Sequence, residues 1–193
     1  YELTYRTGLK PGGTAWIIGT THEYALAPTV HSAGYTIGAG LNSEAHPSRL
    51  LLSAVPKGFD LWLRERAASL GIQVIQVEDL SAPPRGAVDD IVVLGADPDI
   101  IEQVSPFLAD QGVFAVIADR PATRKVSIDM GRVHYNRWVY VGGTSPDVTM
   151  AYSRVPVRAG LKPGGRAWFV GAGGPMGRMH VQRAIEATDS QTG

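Results

Sequence analysis

The chain has 193 residues with 18 basic and 18 acidic side chains, so its formal net charge is zero and it carries no mark of a polyanion or membrane-surface partner. Apolar residues make up 44%, enough for a real core, and no run is long and apolar enough to cross a bilayer. The absence of cysteine excludes disulfides and cysteine zinc sites and is compatible with a cytoplasmic setting. Length favours one domain, or one and a part. The chain opens at Tyr1 without a methionine or signal-like segment and stops soon after a helix begins, so both ends are expected to be cuts in a longer polypeptide.

In chain order, residues 1–13 are a lead-in closed by the turn Pro11-Gly12-Gly13, and 14–18 read as a short buried strand. Residues 20–48 carry scattered Gly and Pro and no helical period, which predicts a loop with a short strand near 35–39. A strand follows at 50–55. Phe59, Leu63, Ala67 and Leu70 then form a helical stripe ended by Gly71. The alternation IQVIQV at 72–77 is a strand, 80–88 a Pro-rich loop, and 91–94 a continuous apolar run suited to a central parallel strand. Asp97-Pro98 is a helix start with Ile100, Ile101, Val104 and Leu108 as its buried stripe; Pro106 must kink or restart it, and Gly112 closes it. Strands are predicted at 113–118 and 138–141, with 119–132 irregular and 144–159 connecting onward.

The chain then repeats itself. Residues 8–19 read GLKPGGTAWIIG and 160–171 read GLKPGGRAWFVG, nine of twelve positions identical, at a spacing of one domain. Two copies of one module in tandem account for this, the second stopping after strand, turn and helix. In the second copy, 166–170 is apolar and aromatic, Gly171, Gly173, Gly174 and Gly177 crowd a loop, and Val181, Ala184 and Ile185 set a helical stripe. Strand, glycine turn and helix is how a dinucleotide pyrophosphate is held, by backbone N–H groups and the positive end of the helix. The spacing departs from G-x-G-x-x-G: from Gly171 the sixth position is Met176, and from Ala172 the first glycine is missing. A turn that only packs a helix on a sheet would use glycines in the same way. In the first copy Thr20, Thr21, His22, Glu23 and Tyr24 stand where the glycine loop should be.

Strands alternating with helices predict an α/β fold: a doubly wound, mostly parallel sheet with helices on both faces, lacking its first helix. The missing helix leads to a further expectation. Residues 166–187 should dock on the sheet formed by 49–142, within the chain or across a two-fold homodimer. The glycine loop would then meet the strand ends at Gly95-Ala96 and Ala118-Asp119.

The second copy, LKPGGRAWFVGAGGPMGRMHVQRAIE, resembles the nucleotide-binding (Rossmann) domain of the medium-chain, zinc-type alcohol and polyol dehydrogenases. Weaker matches are Asp90-Ile91-Val92-Val93 before a Gly-Ala, Gln111-Gly112-Val113-Phe114-Ala115-Val116, and His134-Tyr135 ahead of Val141-Gly142-Gly143-Thr144. The resemblance implies a Rossmann-like domain over 8–150 with a degenerate first phosphate loop, a linker at 151–159, and a second repeat begun at 160–193. It implies an NAD or NADP cofactor bound by Gly171, Gly173, Gly174, Pro175, Met176, Gly177, Gly95 and Ala96. It also implies a partner catalytic domain of the same polypeptide that is absent from this chain, and with it the zinc. Neither nucleic acid nor membrane is an expected partner. The chain is read as the NAD(P)-binding region of an oxidoreductase acting on an alcohol or polyol, without turnover or catalytic residues of its own. The alternative is a degenerate, non-catalytic module serving structure or subunit association.

Two departures bear on this. The second strand of the family ends near an acid that binds the adenosine ribose; here it ends Leu52-Ser53-Ala54-Val55, and Lys57 beyond it suits either a 2′-phosphate or a solvated helix start. Thr21-His22-Glu23 has no cysteine partner and is not read as a zinc site. His31, His46 and His134 are scattered surface or strand-edge residues, and His180 serves packing or capping.

Overall fold

In the computed structural model, residues 6–20, 35–38, 40–84, 86–155 and 166–189 are described. They fall into two compact units, one spanning 6–155 and the other including 156–193.

The first unit is built on strand β1 (Thr14–Gly19), buried at every position. A strand buried on both faces can only sit mid-sheet, and β1 pairs in parallel with β2 (Arg49–Ser53) on one side and β4 (Val88–Leu94) on the other. Outward from these lie β3 (Gln73–Gln76), β5 (Leu108–Ile117) and β6 (Val139–Gly143), giving the order β3-β2-β1-β4-β5-β6 with every pairing parallel. The order reverses between β1 and β4. Right-handed crossovers leaving in opposite directions put their helices on opposite faces. Helix α1 (Lys57–Leu70) joins β2 to β3, and α2 (Pro98–Val104) joins β4 to β5. The unit is therefore a Rossmann-like, doubly wound α/β sheet, as the sequence predicts.

Local chemistry sets the helix ends. Gly71 takes φ 70° and its N–H bonds the carbonyls of Ala67 and Ala68, closing α1. The Asp97 carboxylate accepts from the N–H groups of Asp99 and Ile100, opening α2 with Pro98 in its first turn. Trp16, Ile18, Leu51, Ile91, Val93 and Phe114 form one core face with Ile101 and Val104 of α2. Within that core the Trp16 Nε1–H donates to Ser53 Oγ at 2.9 Å, and Ser53 in turn donates to the Val77 carbonyl at 2.7 Å. Both polar groups are thereby satisfied where leaving either unpaired would cost about 1–3 kcal/mol.

The start of the central strand β4 is locked by charge. Asp90 is fully buried. It is ion-paired to Arg6, accepts the Lys10 N–H at 2.8 Å and accepts the Tyr152 hydroxyl at 2.7 Å. Burial pushes its carboxyl above the usual range against the opposing pull of Arg6, Lys10 and Tyr152. Burial and the neighbouring Asp90 charge hold the Tyr152 phenol well above its ordinary value. Next to it, Asp89 takes Lys10 Nζ at 2.5 Å and the Thr14 N–H at 2.9 Å. The lead-in before β1 is thus tied to β4 and to helix α4 (Val148–Tyr152).

Several expectations are corrected. Helix α2 stops at Val104, and a 3-10 turn carries Pro106, so the restart at Pro106 is found. Leu108 and Gly112, however, belong to β5, where Leu108 pairs with Val88. The stretch 119–132 ends in a helix, α3 (Met130–Tyr135), capped by Asp129, and the connector after β6 contains α4, capped by Asp147. Near 35–39 there is one isolated bridge, Thr36 to Asp147, rather than a strand. The expected first-helix gap falls largely on residues 21–34, and Thr21, His22, Glu23, Tyr24 and His31 with it, all outside the described residues.

In the second unit, 166–169 carry no ladder, and a turn at 170–174 leads into helix α5 (Pro175–Asp189). Turn and helix are as expected; the strand is not formed. Extended backbone becomes a strand only when a neighbour satisfies its N–H and C=O groups, and the six strands of the sheet all come from the first unit.

Candidate functional site

Ligands of doubly wound sheets sit outside the carboxyl ends of the strands, where the order reverses. In the first unit that place lies between Gly19-Thr20 and Leu94-Gly95. It is tightly closed. The Thr20 N–H and Oγ1 both reach the Leu94 carbonyl, at 3.2 and 2.8 Å. Gly95 has φ +122°, and a Cβ placed on it would lie 2.0 Å from Thr20 Oγ1. A Cβ on Gly19 would lie 1.9 Å from the carbonyl of Ala54, itself at φ 47°. These glycines serve close contact between strand ends.

Beyond Gly95 the strand ends open. A cavity of about 490 Å³ lies between the end of β4 and the loop after β5, and Gly95, Ala96, Asp97, Ala118, Asp119 and Arg120 are among its lining. A second hollow of about 450 Å³ continues to the end of β6, with Gly142, Gly143, Thr144 and Arg154. The loop after β5 is latched to α2: Arg124 donates to Asp99 at 2.5 Å and to Glu102 at 2.6 Å, and the Ser127 N–H donates to Glu102 at 2.7 Å. Those bonds hold Glu102 down at about 2 and push Arg124 above its ordinary value. Asp97 is engaged in capping α2, so the β4 side of the cleft is acidic and offers no free helix end to a phosphate.

The glycine loop lies in the second unit. Gly171, at φ +80°, accepts the Gly174 N–H at 3.1 Å, and Arg178 Nε donates to the Gly173 carbonyl at 3.1 Å. A Cβ on Gly177 would meet the Gly171 carbonyl at 2.1 Å, so the first turn of α5 rests on the loop only because residue 177 is glycine. Nothing lies within 4 Å of a Cβ built on Gly173. Pro175 opens the helix and Met176 is exposed. Of the predicted cofactor residues, 171–177 are thus gathered at the head of α5, while Gly95 and Ala96 line the cavity of the other unit. Sequence reading missed Arg120, Thr144 and Arg154. The usable signal was their position, a polar residue just past a buried parallel strand or the helix beside it.

The remaining candidates are ordinary. Lys57 is exposed at the start of α1. The His46 ring lies 3.1 Å from the Pro47 carbonyl, His134 stacks edge-on against Tyr135 on α3, and His180 is on α5. Among the described residues no group of three or more His, Asp or Glu is placed to hold a metal ion, and no helix is long and apolar enough to cross a membrane.

The class these features define is a Rossmann-like α/β sheet, and that assignment stands on strand order and direction. No family model matches the chain. It is 28% identical over 165 residues to the Escherichia coli K12 protein YggP, itself uncharacterized, covering 75% of this chain and 36% of that one. Among solved structures it is similar to one described as a zinc-binding dehydrogenase from Sinorhizobium meliloti bound to NADP (TM-score 0.46, 20% identity, 76% of this chain and 42% of that chain). It is also similar to benzyl alcohol dehydrogenase from Acinetobacter calcoaceticus (TM-score 0.45, 16% identity, 76% and 37%). The chain therefore spans well under half the length of each of these proteins.

Proposed function

We propose that the chain is the dinucleotide-binding part of an NAD(P)-dependent oxidoreductase of the medium-chain dehydrogenase kind, working on an alcohol or polyol with a catalytic domain of the same polypeptide. The observation that carries this is the head of α5. Gly177 lets the helix rest against the carbonyl of Gly171, and the space over Gly173 is open to a diphosphate. The residues fit the group. Backbone N–H groups of Gly173, Met176 and Gly177 and the positive end of a 15-residue helix would hold the pyrophosphate. When bound, the nicotinamide supplies hydride transfer; this chain binds and orients. A cysteine-free chain suits the cytoplasm, and the repeated dodecamer is proposed to mark a duplicated module.

A second reading has its own support. Thr20 packed on Gly95 closes the first unit's reversal point, which favours a six-stranded unit kept as a scaffold. Calorimetric titration of the intact chain with NADH and NADPH separates the two: saturable binding of either supports the first reading, and no binding at millimolar levels leaves the scaffold. Docking of 166–187 on the sheet is proposed on sequence grounds alone. Removing 160–193 should lower Tm by several degrees if it occurs, and an unchanged Tm refutes it.

A further inference from the structure

The described arginines of the first unit sort into two groups. Arg6, Arg49, Arg64, Arg66, Arg124 and Arg132 each hold a carboxylate, carbonyl, hydroxyl or ring, and Arg137 also interacts. The side chains of Arg120 and Arg154 have no hydrogen bond or ion pair among the described residues, and both line the same hollow. Arg120 follows the end of β5, and Arg154 follows α4, which packs beside β5 and β6. The same hollow is lined by Gly142 and Gly143, which present backbone without side-chain bulk, and by the exposed Thr144, whose hydroxyl has no partner among the described residues. The one carboxylate in this wall is Asp119. On the β4 side, by contrast, Asp97, Asp99 and Asp119 share the wall with Arg120, and Asp99 is already paired with Arg124. The cleft along the strand ends thus changes sign, acidic toward α2 and basic toward β6.

We propose that the hollow between Arg120 and Arg154 is an oxyanion site that takes a phosphate or carboxylate group of a small molecule, with Thr144 as a third donor. Two guanidinium groups facing one hollow repel each other. An anion between them relieves that repulsion and accepts from both forks, the planar geometry suited to phosphate and carboxylate oxygens. The site is independent of the glycine turn of α5, so it stands or falls apart from the dinucleotide reading.

The test titrates the intact chain with inorganic phosphate and with acetate, followed by amide chemical shifts at 142–144. Saturable shifts are expected, weakened about tenfold or more by Arg120→Gln and by Arg154→Gln and abolished by the double variant. Circular dichroism of the variants should match the parent, since both side chains are exposed. Saturation by phosphate alone assigns a phosphate ligand, and saturation by both assigns oxyanions generally. Absence of saturable shifts in the parent, or equal affinity in the double variant, overturns the proposal. Titrating the double variant with NADPH keeps the two ideas apart. Retained NADPH affinity with lost phosphate affinity places the oxyanion on a separate small molecule, and joint loss places it on the cofactor.

Discussion

Residues 8–19 and 160–171 are nearly the same sequence, and where both copies are described, at 14–19 and 166–171, their structures differ. The first copy is the most buried strand of the sheet. Trp16 is fully buried and bonded to Ser53, and Ile17 and Ile18 face opposite sides of a covered layer. In the second copy the corresponding Trp168 is 91% exposed, and 166–169 form no ladder among the described residues. The apolar pattern supplies a segment able to be a strand; ladder partners on both sides, here β2 and β4, decide whether it is one. After the shared words the copies differ again. The first runs into Thr20, which fills the space over Gly95. The second runs into Gly171-Ala172-Gly173-Gly174 before α5 begins at Pro175.

Paired substitutions break or sharpen this comparison. Trp16→Ala should cost about 3–5 kcal/mol or prevent folding, while Trp168→Ala leaves urea unfolding of the sheet unchanged. Equal effects would mean that both copies contribute to one core. Gly19→Ala places a methyl 1.9 Å from the Ala54 carbonyl and should cost about 3 kcal/mol or more. At the equivalent Gly171 no atom obstructs, and only the positive φ opposes alanine, at about 1 kcal/mol confined to the head of α5. Hydrogen exchange separates the global loss from the local one.

Charge offers a gentler contrast, between the buried Asp90 on the central strand β4 and the partly exposed Glu102 on α2. Asp90→Asn leaves Arg6 without its counter-charge and should cost about 3 kcal/mol. Because the Asp90 carboxyl is raised, its contribution is fullest below the unfolded value near 4 and falls as pH rises through the folded value, so the variant should lose that decline. Glu102 has the opposite sign. Lowered to about 2, it contributes above its unfolded value and is lost as pH falls from about 4.5 toward 2, so Glu102→Gln should flatten the acid limb. Unfolding curves from pH 2 to 8 check both slopes.

Much of the first unit was legible because its signals are local and mutually consistent. The buried run at 91–94, the stripe Phe59-Leu63-Ala67, the Gly71 stop and the Asp97-Pro98 start each name one outcome. Helices α3 and α4 were missed because six and five residues are too short for a period to show; their signals are the caps Asp129 and Asp147. Leu108 was placed on a helix because an apolar residue four after Val104 fits the stripe, and only pairing with Val88 overrides it. At the site, the glycine turn could be read from sequence. The facing of Arg120 and Arg154 could not, since 33 positions of chain separate them and only the sheet order brings them to one hollow.

The account turns on the claim that the cradle belongs to the second copy. The most direct test is NADPH and NADH titration of Gly177→Val beside the parent chain. The account predicts at least tenfold weaker binding, with circular dichroism of the six-stranded unit and its urea midpoint unchanged, because a side chain at 177 drives the head of α5 off the Gly171 carbonyl. Dinucleotide affinity equal to that of the parent would contradict it.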